Sequence, residues 1–531
     1  MSGNRHVEAA RRYHEATAHS AQSIRSGGRG LDWDTKPEPF KIYADLPVVA
    51  LPRDFPVPAL DALAAISTEP AGEASLDLER LAALLFFSAG VTKRTSYPGG
   101  GTIYFRAAPS TGALYQTEAY VVAGDVAGLE PGVYHFSPGD FALRRLREGD
   151  FRGALAIAAA DDDLASRPAT LILSAIYWRN TWKYQARGYR HLFWDSGTML
   201  SNLLASATAL DLPARAITGF VDLEVNGLLA LDAEKEGALL LASVGGQGRP
   251  APVSPVIASI TPAVIPLSAT EVDYPLLRDA YENSSLDGES EVQAWREASW
   301  QRAPRPGALV ALPTPRPSAG RTLAETIMAR GSTRQFSGEA IGAGELSAAL
   351  WHATRGWPAD VPSGLVDLYL TVHAVDGIEP GAYRYRPESH ALELIKRGDF
   401  RERSAFLCLE QPLGGMSSAT VFFLADLGAL LEIYGNRGYR LANLEAGLIG
   451  GRLYLAAYAQ RFGATGLTFY DRDVVDFFSP HALGKDAIFV TALGRSVKGP
   501  ALPPTPPVRL DERRAAEDRY EGISRTSTRA S

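Results

Sequence analysis

Residues 128–152 read GLEPGVYHFSPGDFALRRLREGDFR, and residues 377–401 read GIEPGAYRYRPESHALELIKRGDFR. Twelve of the 25 positions are identical at an offset of 249. At an offset of 250, Arg187-Gly188-Tyr189-Arg190 returns as Arg437-Gly438-Tyr439-Arg440. A chain written this way carries two copies of one domain. A single pair of copies folds as an internal pseudo-dimer rather than as a solenoid. Positions at which the copies disagree are then positions at which one half has changed its chemistry.

The bulk composition removes several classes. The 531 residues are 46% hydrophobic and 21% charged, as in ordinary globular proteins. A net charge of −7 without a basic stripe argues against a nucleic-acid partner. The single cysteine, Cys408, lies in the apolar run FLCLE. It excludes disulfides and reads as a buried thiol in a reducing compartment. No N-terminal segment resembles a signal peptide and no apolar run is long enough to span a bilayer, so a cytoplasmic protein without membrane contact is expected. The nine histidines show no HExxH-type spacing, and no metal is assigned.

Five regions follow from patterning. Residues 1–75, polar and then Pro-punctuated, read as extended segments that wrap a surface. Residues 76–249 form the first copy. It opens on the amphipathic LDLERLAALLFFSAG, with strands expected at EAYVVAG, GVYHF, ATLILSAIYW and GALLLASVG and a long helix from YRHLFWDSG onward. Residues 250–321 are a Pro- and Ser-rich linker with one helix at EVQAWREASWQR. Residues 322–500 repeat the order, and 501–531 form a charged, irregular tail. Mixed helices and strands without βαβ alternation predict an α+β fold, duplicated in tandem.

Four clusters can carry chemistry. ARGSTRQF places Arg330, Ser332 and Arg334 within five residues, and guanidinium forks match phosphate oxygens. A solvated basic turn at a helix end explains the same spacing. RAAPSTGALYQTEAYVV offers small residues and hydroxyls from Pro109 to Tyr115, suited to close approach of a flat ligand and equally to a plain turn. ALGRSVKGP sets Arg495 and Lys498 after a strand, as a second wall for a phosphate or as surface charge. In YWRNTWKYQARGYR, Lys183 and Tyr184 sit beside Trp178 and Trp182. A lysine among aromatics can lose hydration and act as a base, or it can snorkel over them.

Together, RGSTRQF, PSTGALY, WKYQARGYR and the late LGR resemble the nitroreductase superfamily of flavin enzymes. WRNTWKYQARGYRHLFWDSG, RAAPSTGALYQTEAYVV and the opening RRYHEATAHSAQSIRSGGRGLDWD resemble its SagB-type dehydrogenase branch, which includes the azoline oxidases of modified-peptide biosynthesis. The resemblance implies two paired domains with FMN at their interface. It assigns Arg330, Ser332, Arg334, Arg495 and Lys498 to the FMN phosphate, Pro109, Ser110, Thr111, Gly112 and Leu114 to the flavin edge, Thr468 to the cofactor set, and Lys183 and Tyr184 to catalysis.

The copies differ at each of these places. The second copy has Ile433-Tyr434 for Lys183-Tyr184, and Pro362-Ser363-Gly364 for the PSTGALY segment. The first copy has Val244-Gly245-Gly246 for Leu493-Gly494-Arg495, and TKPEPFKIYADLP where a cradle would be expected. Complementary losses imply one FMN per chain, held at the seam, in a monomeric pseudo-dimer or a homodimer. The expected activity is oxidation of a ribosomally made peptide, azoline to azole, beside a cyclodehydratase or other biosynthetic partner. An NAD(P)H-dependent nitro-, quinone- or ene-reductase and a non-catalytic scaffold of a peptide-modifying complex are the alternatives.

Overall fold

The computed structural model describes residues 3–27, 30–97, 101–300 and 307–497. Each copy builds a seven-stranded antiparallel sheet, and the two sheets share one strand order. The first runs Val48–Ala50, Ala142–Glu148, Gly132–Ser137, Thr117–Ala123, Ala169–Ile176, Glu236–Val244, Ala214–Ile217. The second runs Leu309–Ala311, Ala391–Arg397, Gly381–Arg386, Asp367–Val372, Ala419–Ala425, Asp486–Gly494, Gly463–Gly466. The repeated 25 residues form the same hairpin twice. Each hairpin has a register shift one residue into its first strand's apolar stretch, at Val133/Tyr134 and at Ala382/Tyr383. In each, the tyrosine hydroxyl donates to a carbonyl four residues back, Tyr134 to Glu130 and Tyr383 to Glu379, both at 2.7 Å.

Two long helices, Gly188–Ala209 and Arg437–Ala459, cross at the centre and are buried along most of their length. Their crossing point is a pair of equivalent glycines. A Cβ on Gly197 would lie 2.4 Å from the Leu444 carbonyl oxygen, and one on Gly447 would lie 2.3 Å from that of Trp194. Backbones that approach this closely admit no side chain, so the two helices meet only because both copies keep glycine there.

The repeated Arg-Gly-Tyr-Arg segments lock the halves reciprocally. Arg187 and Arg190 of the first copy pair with Asp471 of the second at 3.0 and 2.5 Å. Arg437 and Arg440 of the second pair with Asp222 of the first at 2.6 and 2.7 Å. All six groups are buried. Tyr189 and Tyr439 stack between these pairs, ring centroids 6.3 Å apart. The exchange of one patch for its twin is the signature of a two-fold interface, here inside one chain.

Residues 1–75 differ from the extended wrap the prolines predict. The part before the proline run is helical at Glu8–Ala16 and Ala21–Ser26. The first of these helices places Tyr13 edge-on against both Tyr189 and Tyr439, so it staples the pseudo-axis. Further on, Val48–Ala50 adds the edge strand to the first sheet. The linker holds two helices, Pro275–Glu282 and Glu289–Arg296, where one was expected. The strand read over ATLILSAIYW ends at Ile176, and Tyr177 and Trp178 begin the helix Tyr177–Tyr184. Among the described residues no helix is long and apolar enough to cross a membrane.

Candidate functional site at the seam

One stripe of the helix Gly188–Ala209 organises the first copy's contribution. His191 and Asp195, one turn apart, face the same side. The His191 ring meets the Tyr184 ring edge-on at 4.5 Å and is held by Asn180 Oδ1 at 2.9 Å. Asp195, fully buried, accepts from Ser110 Oγ at 2.5 Å, Thr111 N at 2.9 Å, Thr111 Oγ1 at 2.8 Å and Gln116 Nε2 at 2.7 Å. Burial pushes its carboxyl up to about 6, and these donors limit the rise. The Pro109 carbonyl accepts from Thr198 of the same helix at 2.8 Å. The loop so held is strained. Gly112, Ala113 and Tyr115 have φ of +64°, +54° and +51°, and two of the three carry side chains. A Cβ at Gly112 would lie 2.8 Å from the Tyr184 hydroxyl, which places that hydroxyl against the loop backbone. Leu114 packs in one apolar cluster with Trp178, Trp182 and Tyr184.

Lys183 is exposed at the end of its helix, with its ammonium 5.3 Å from the Tyr184 ring centre. Partial burial lowers its pKa, and Arg334 of the second copy lowers it further. Burial raises the Tyr184 pKa, with Asp195 adding to the rise and Arg334 opposing it. The pair therefore consists of a lysine eased toward its neutral form and a tyrosine held as a hydrogen-bond donor. Arg334 of the other copy is the nearby charge that acts on both.

Arg330 ties the second copy to the lead-in of that loop. Its Nε donates to the Ala107 carbonyl at 3.0 Å and its Nη2 to that of Arg106 at 2.8 Å, three and four residues before Ser110. In return Lys93, on the first copy's hairpin Val91–Tyr97/Gly101–Arg106, donates to the Arg330 carbonyl at 2.6 Å. Lys93 is pushed down to about 8 by burial and then by two cations, Arg330 and Arg321. Crowded cations of this kind fit an anionic group such as a phosphate, whose charge would relieve them. Ser332 lies 3.2 Å from the Tyr454 hydroxyl.

Two expected members stand elsewhere. Arg495 pairs with Glu345 at 2.6 Å inside the second copy. Side chains alternate at a strand end, so it is the neighbouring Ser496 that meets the cradle segment, 2.8 Å from Thr333 Oγ1. Thr468 accepts from Gln411 at 3.2 Å, also within the second copy. Lys498 lies outside the described residues.

The mirror-image position is built differently. Helix Ala62–Ala65 stands where Leu323–Ala329 stands in the second copy. Each follows its sheet's edge strand, and their capping residues Asp61 and Thr322 pair backbone to backbone. The counterpart of the cradle is therefore residues 66–72, ISTEPAG, and not TKPEPFKIYADLP as the sequence suggested. It has no arginine and carries Glu69. Against Tyr434, the counterpart of Tyr184, lies Trp295 of the linker, fully buried, with Nε1 donating to the Tyr434 carbonyl at 3.0 Å and ring centroids 5.5 Å apart. Trp300 donates to the Gly364 carbonyl at 3.0 Å. Linker side chains thus pack at the mirror position.

Asp195, Lys93, Trp295 and Trp300 escaped the sequence reading. The one available signal for Asp195 was that it is the single acid of its helix, with Glu445 at the repeat offset.

An antiparallel sheet flanked by a central helix, duplicated and crossed on a two-fold, with Arg330 of one copy bonded to the residues that lead into the small-residue loop of the other, defines a paired α+β architecture. The Nitroreductase family model matches residues 73–246 and 327–483, and the chain belongs to that family. A crystallised protein from Anabaena variabilis, named for the nitroreductases, superposes with a TM-score of 0.74 at 28% identity, covering 92% of this chain and 99% of its own. The trifolitoxin-processing protein TfxB of Rhizobium leguminosarum bv. trifolii is 30% identical over 174 residues, 32% of this chain and 46% of TfxB. The microcin B17-processing protein McbC of Escherichia coli is 26% identical over 156 residues, 28% of this chain and 57% of McbC. The chain thus spans about half the length of these two peptide-processing relatives.

Proposed function

We propose that the chain is an FMN-dependent dehydrogenase of the SagB type that oxidises azoline rings in a ribosomally made peptide to azoles, working with a ring-forming biosynthetic partner. The observation that carries this reading is Arg330 of one copy donating to the Arg106 and Ala107 carbonyls that lead into the loop 109–115 of the other, while linker tryptophans pack at the mirror position. Similarity to microcin B17- and trifolitoxin-processing proteins favours a peptide substrate.

Arg330, Ser332 and Arg334, with Lys93, would hold the FMN phosphate, and residues 109–114 would face the ring. Arg495 would join them only by leaving Glu345. FMN bound there supplies a two-electron acceptor. Oxidation of an azoline to an azole removes two hydrogens, one of them as a proton from a ring carbon. Lys183 Nζ is the group placed to take that proton, and the Tyr184 hydroxyl steadies the same ring by donating a hydrogen bond. Glycine at 112 makes the room the Tyr184 ring needs beside the loop.

The experiment is a titration of the purified chain with FMN, followed by absorbance. One FMN per chain is expected. Two would contradict the filled mirror position, and none would remove the reading altogether.

A further inference from the structure

We propose that Asp195 is the positioning residue of this site: it fixes the shape of the loop 110–115 and, through that loop, the seat of Tyr184. The assignment of the loop to a flavin rests on the functional reading above; the role of Asp195 in shaping the loop stands on geometry alone.

Both Asp195 oxygens are used, and three of the four groups that reach them come from the two residues that open the loop, Ser110 and Thr111. Gln116, which closes the loop, supplies the fourth and also donates to the His191 carbonyl at 3.1 Å. The Ser110 hydroxyl relays the effect. It donates to Asp195 and accepts from Tyr115 N at 2.9 Å, so the carboxylate reaches the strained far end of the loop. Positive φ at Ala113 and Tyr115 persists only where the surroundings over-determine it. Asp195 is the anchor that both ends of the strained stretch have in common. Tyr184 rests its hydroxyl against Gly112, immediately after the residue Asp195 grips most firmly.

The second copy shows what the same position does without that function. There Glu445 accepts from the backbone amides of Gly364 at 2.6 Å and Val366 at 2.9 Å, in the shorter Pro362-Ser363-Gly364 segment. A carboxylate tethering the loop to the long helix belongs to both copies. In the copy that carries Lys183 the carboxylate also engages two hydroxyls, those of Ser110 and Thr111.

The test compares Asp195→Asn with Asp195→Glu and with the pair Ser110→Ala/Thr111→Val, which removes two of the four donors to the same acceptor. Amide hydrogen exchange is read over 110–116 and over the strand 117–123, and FMN affinity is read by titration. Asp195→Asn should speed exchange in 110–116 by roughly tenfold to a hundredfold, as for a lost charge-assisted hydrogen bond, with 117–123 unchanged. It should weaken FMN binding about tenfold, by the same principle. Asp195→Glu should restore part of both, since Glu445 performs the tether elsewhere in the fold. Combining Asp195→Asn with the hydroxyl pair should give less than the sum of the two effects, because they share the contacts of Ser110 and Thr111 with residue 195. Wild-type exchange and affinity in Asp195→Asn would overturn the proposal. If that variant does not fold, the hydroxyl pair decides: a loosened loop supports it and an unchanged loop overturns it. A wild-type protein that takes up no FMN would sink the functional reading, while the exchange comparison would still judge Asp195.

Discussion

Replacing Lys183 with alanine should leave FMN bound and reduce turnover of an azoline peptide by about 10²–10⁴-fold, the usual contribution of a positioned general base. The separation of the two effects follows from the geometry. The crowded cations that fit the phosphate, Arg330 and Lys93, are bonded to the Ala107 and Arg330 carbonyls and not to the Lys183 helix. Lys183 itself is exposed and makes its closest described contact with the Tyr184 ring. Truncating it therefore removes a proton acceptor without opening the cradle. The pH dependence has a definite sign. A lysine acts as a base only when unprotonated, so turnover should climb as pH rises through the Lys183 pKa. Burial and Arg334 set that pKa below the ordinary lysine value of about 10.4. Arg334→Ala should move the climb to higher pH, and Lys183→Ala should abolish it. A Lys183→Ala protein that holds flavin and turns over at the wild-type rate would remove the base assignment.

The duplication was legible because it is written in residues that shape backbone: the repeated hairpin keeps the tyrosine that ties its own turn, and drift there would cost the fold. The seam chemistry was legible where residue type alone is informative, as with two arginines around a serine or a lysine beside tryptophans. Asp195 was not, because a single acid has no spacing. Its meaning comes from donors 79 to 85 positions away in the chain. Lys93 belongs to the cradle only because a hairpin folds over from the other copy. The counterpart of the cradle was misplaced because Pro-rich TKPEPFKIYADLP looked like the lead-in to the first copy, whereas the edge strand Val48–Ala50 intervenes and the true counterpart follows it. The filling of the mirror position by Trp295 was invisible for a similar reason. A tryptophan in a short linker helix has no periodicity that announces what it packs against. The Arg-Gly-Tyr-Arg repeat showed that the copies match, but its role as a reciprocal clamp needed Asp222 and Asp471, which lie in segments with little other identity.

That clamp yields the largest expected effect on stability. Asp471→Asn should destabilise the fold by about 3–5 kcal/mol, because it leaves Arg187 and Arg190 buried without a counter-charge. Replacing the whole buried group with apolar residues would cost far less. The penalty arises from stranding the charge and not from the intrinsic strength of the pair. Asp471 also accepts from the His19 backbone at 2.8 Å, so the N-terminal helix that staples the pseudo-axis should loosen with it. Asp222→Asn should behave alike through Arg437 and Arg440, since the two clamps are related by the internal two-fold. Although burial alone would raise both carboxyls, the paired arginines hold Asp471 and Asp222 below the ordinary aspartate value in the folded chain. Their contribution is therefore fully present above the unfolded value of about 3.9 and is lost as pH falls through the lower folded values. Thermal melts of the wild type and of Asp471→Asn should accordingly be widest apart near neutral pH and draw together below about pH 4, where the wild type begins to protonate what the variant already lacks. A constant gap across that range would mean that the loss lies in packing and that the ion pairs carry little of the seam.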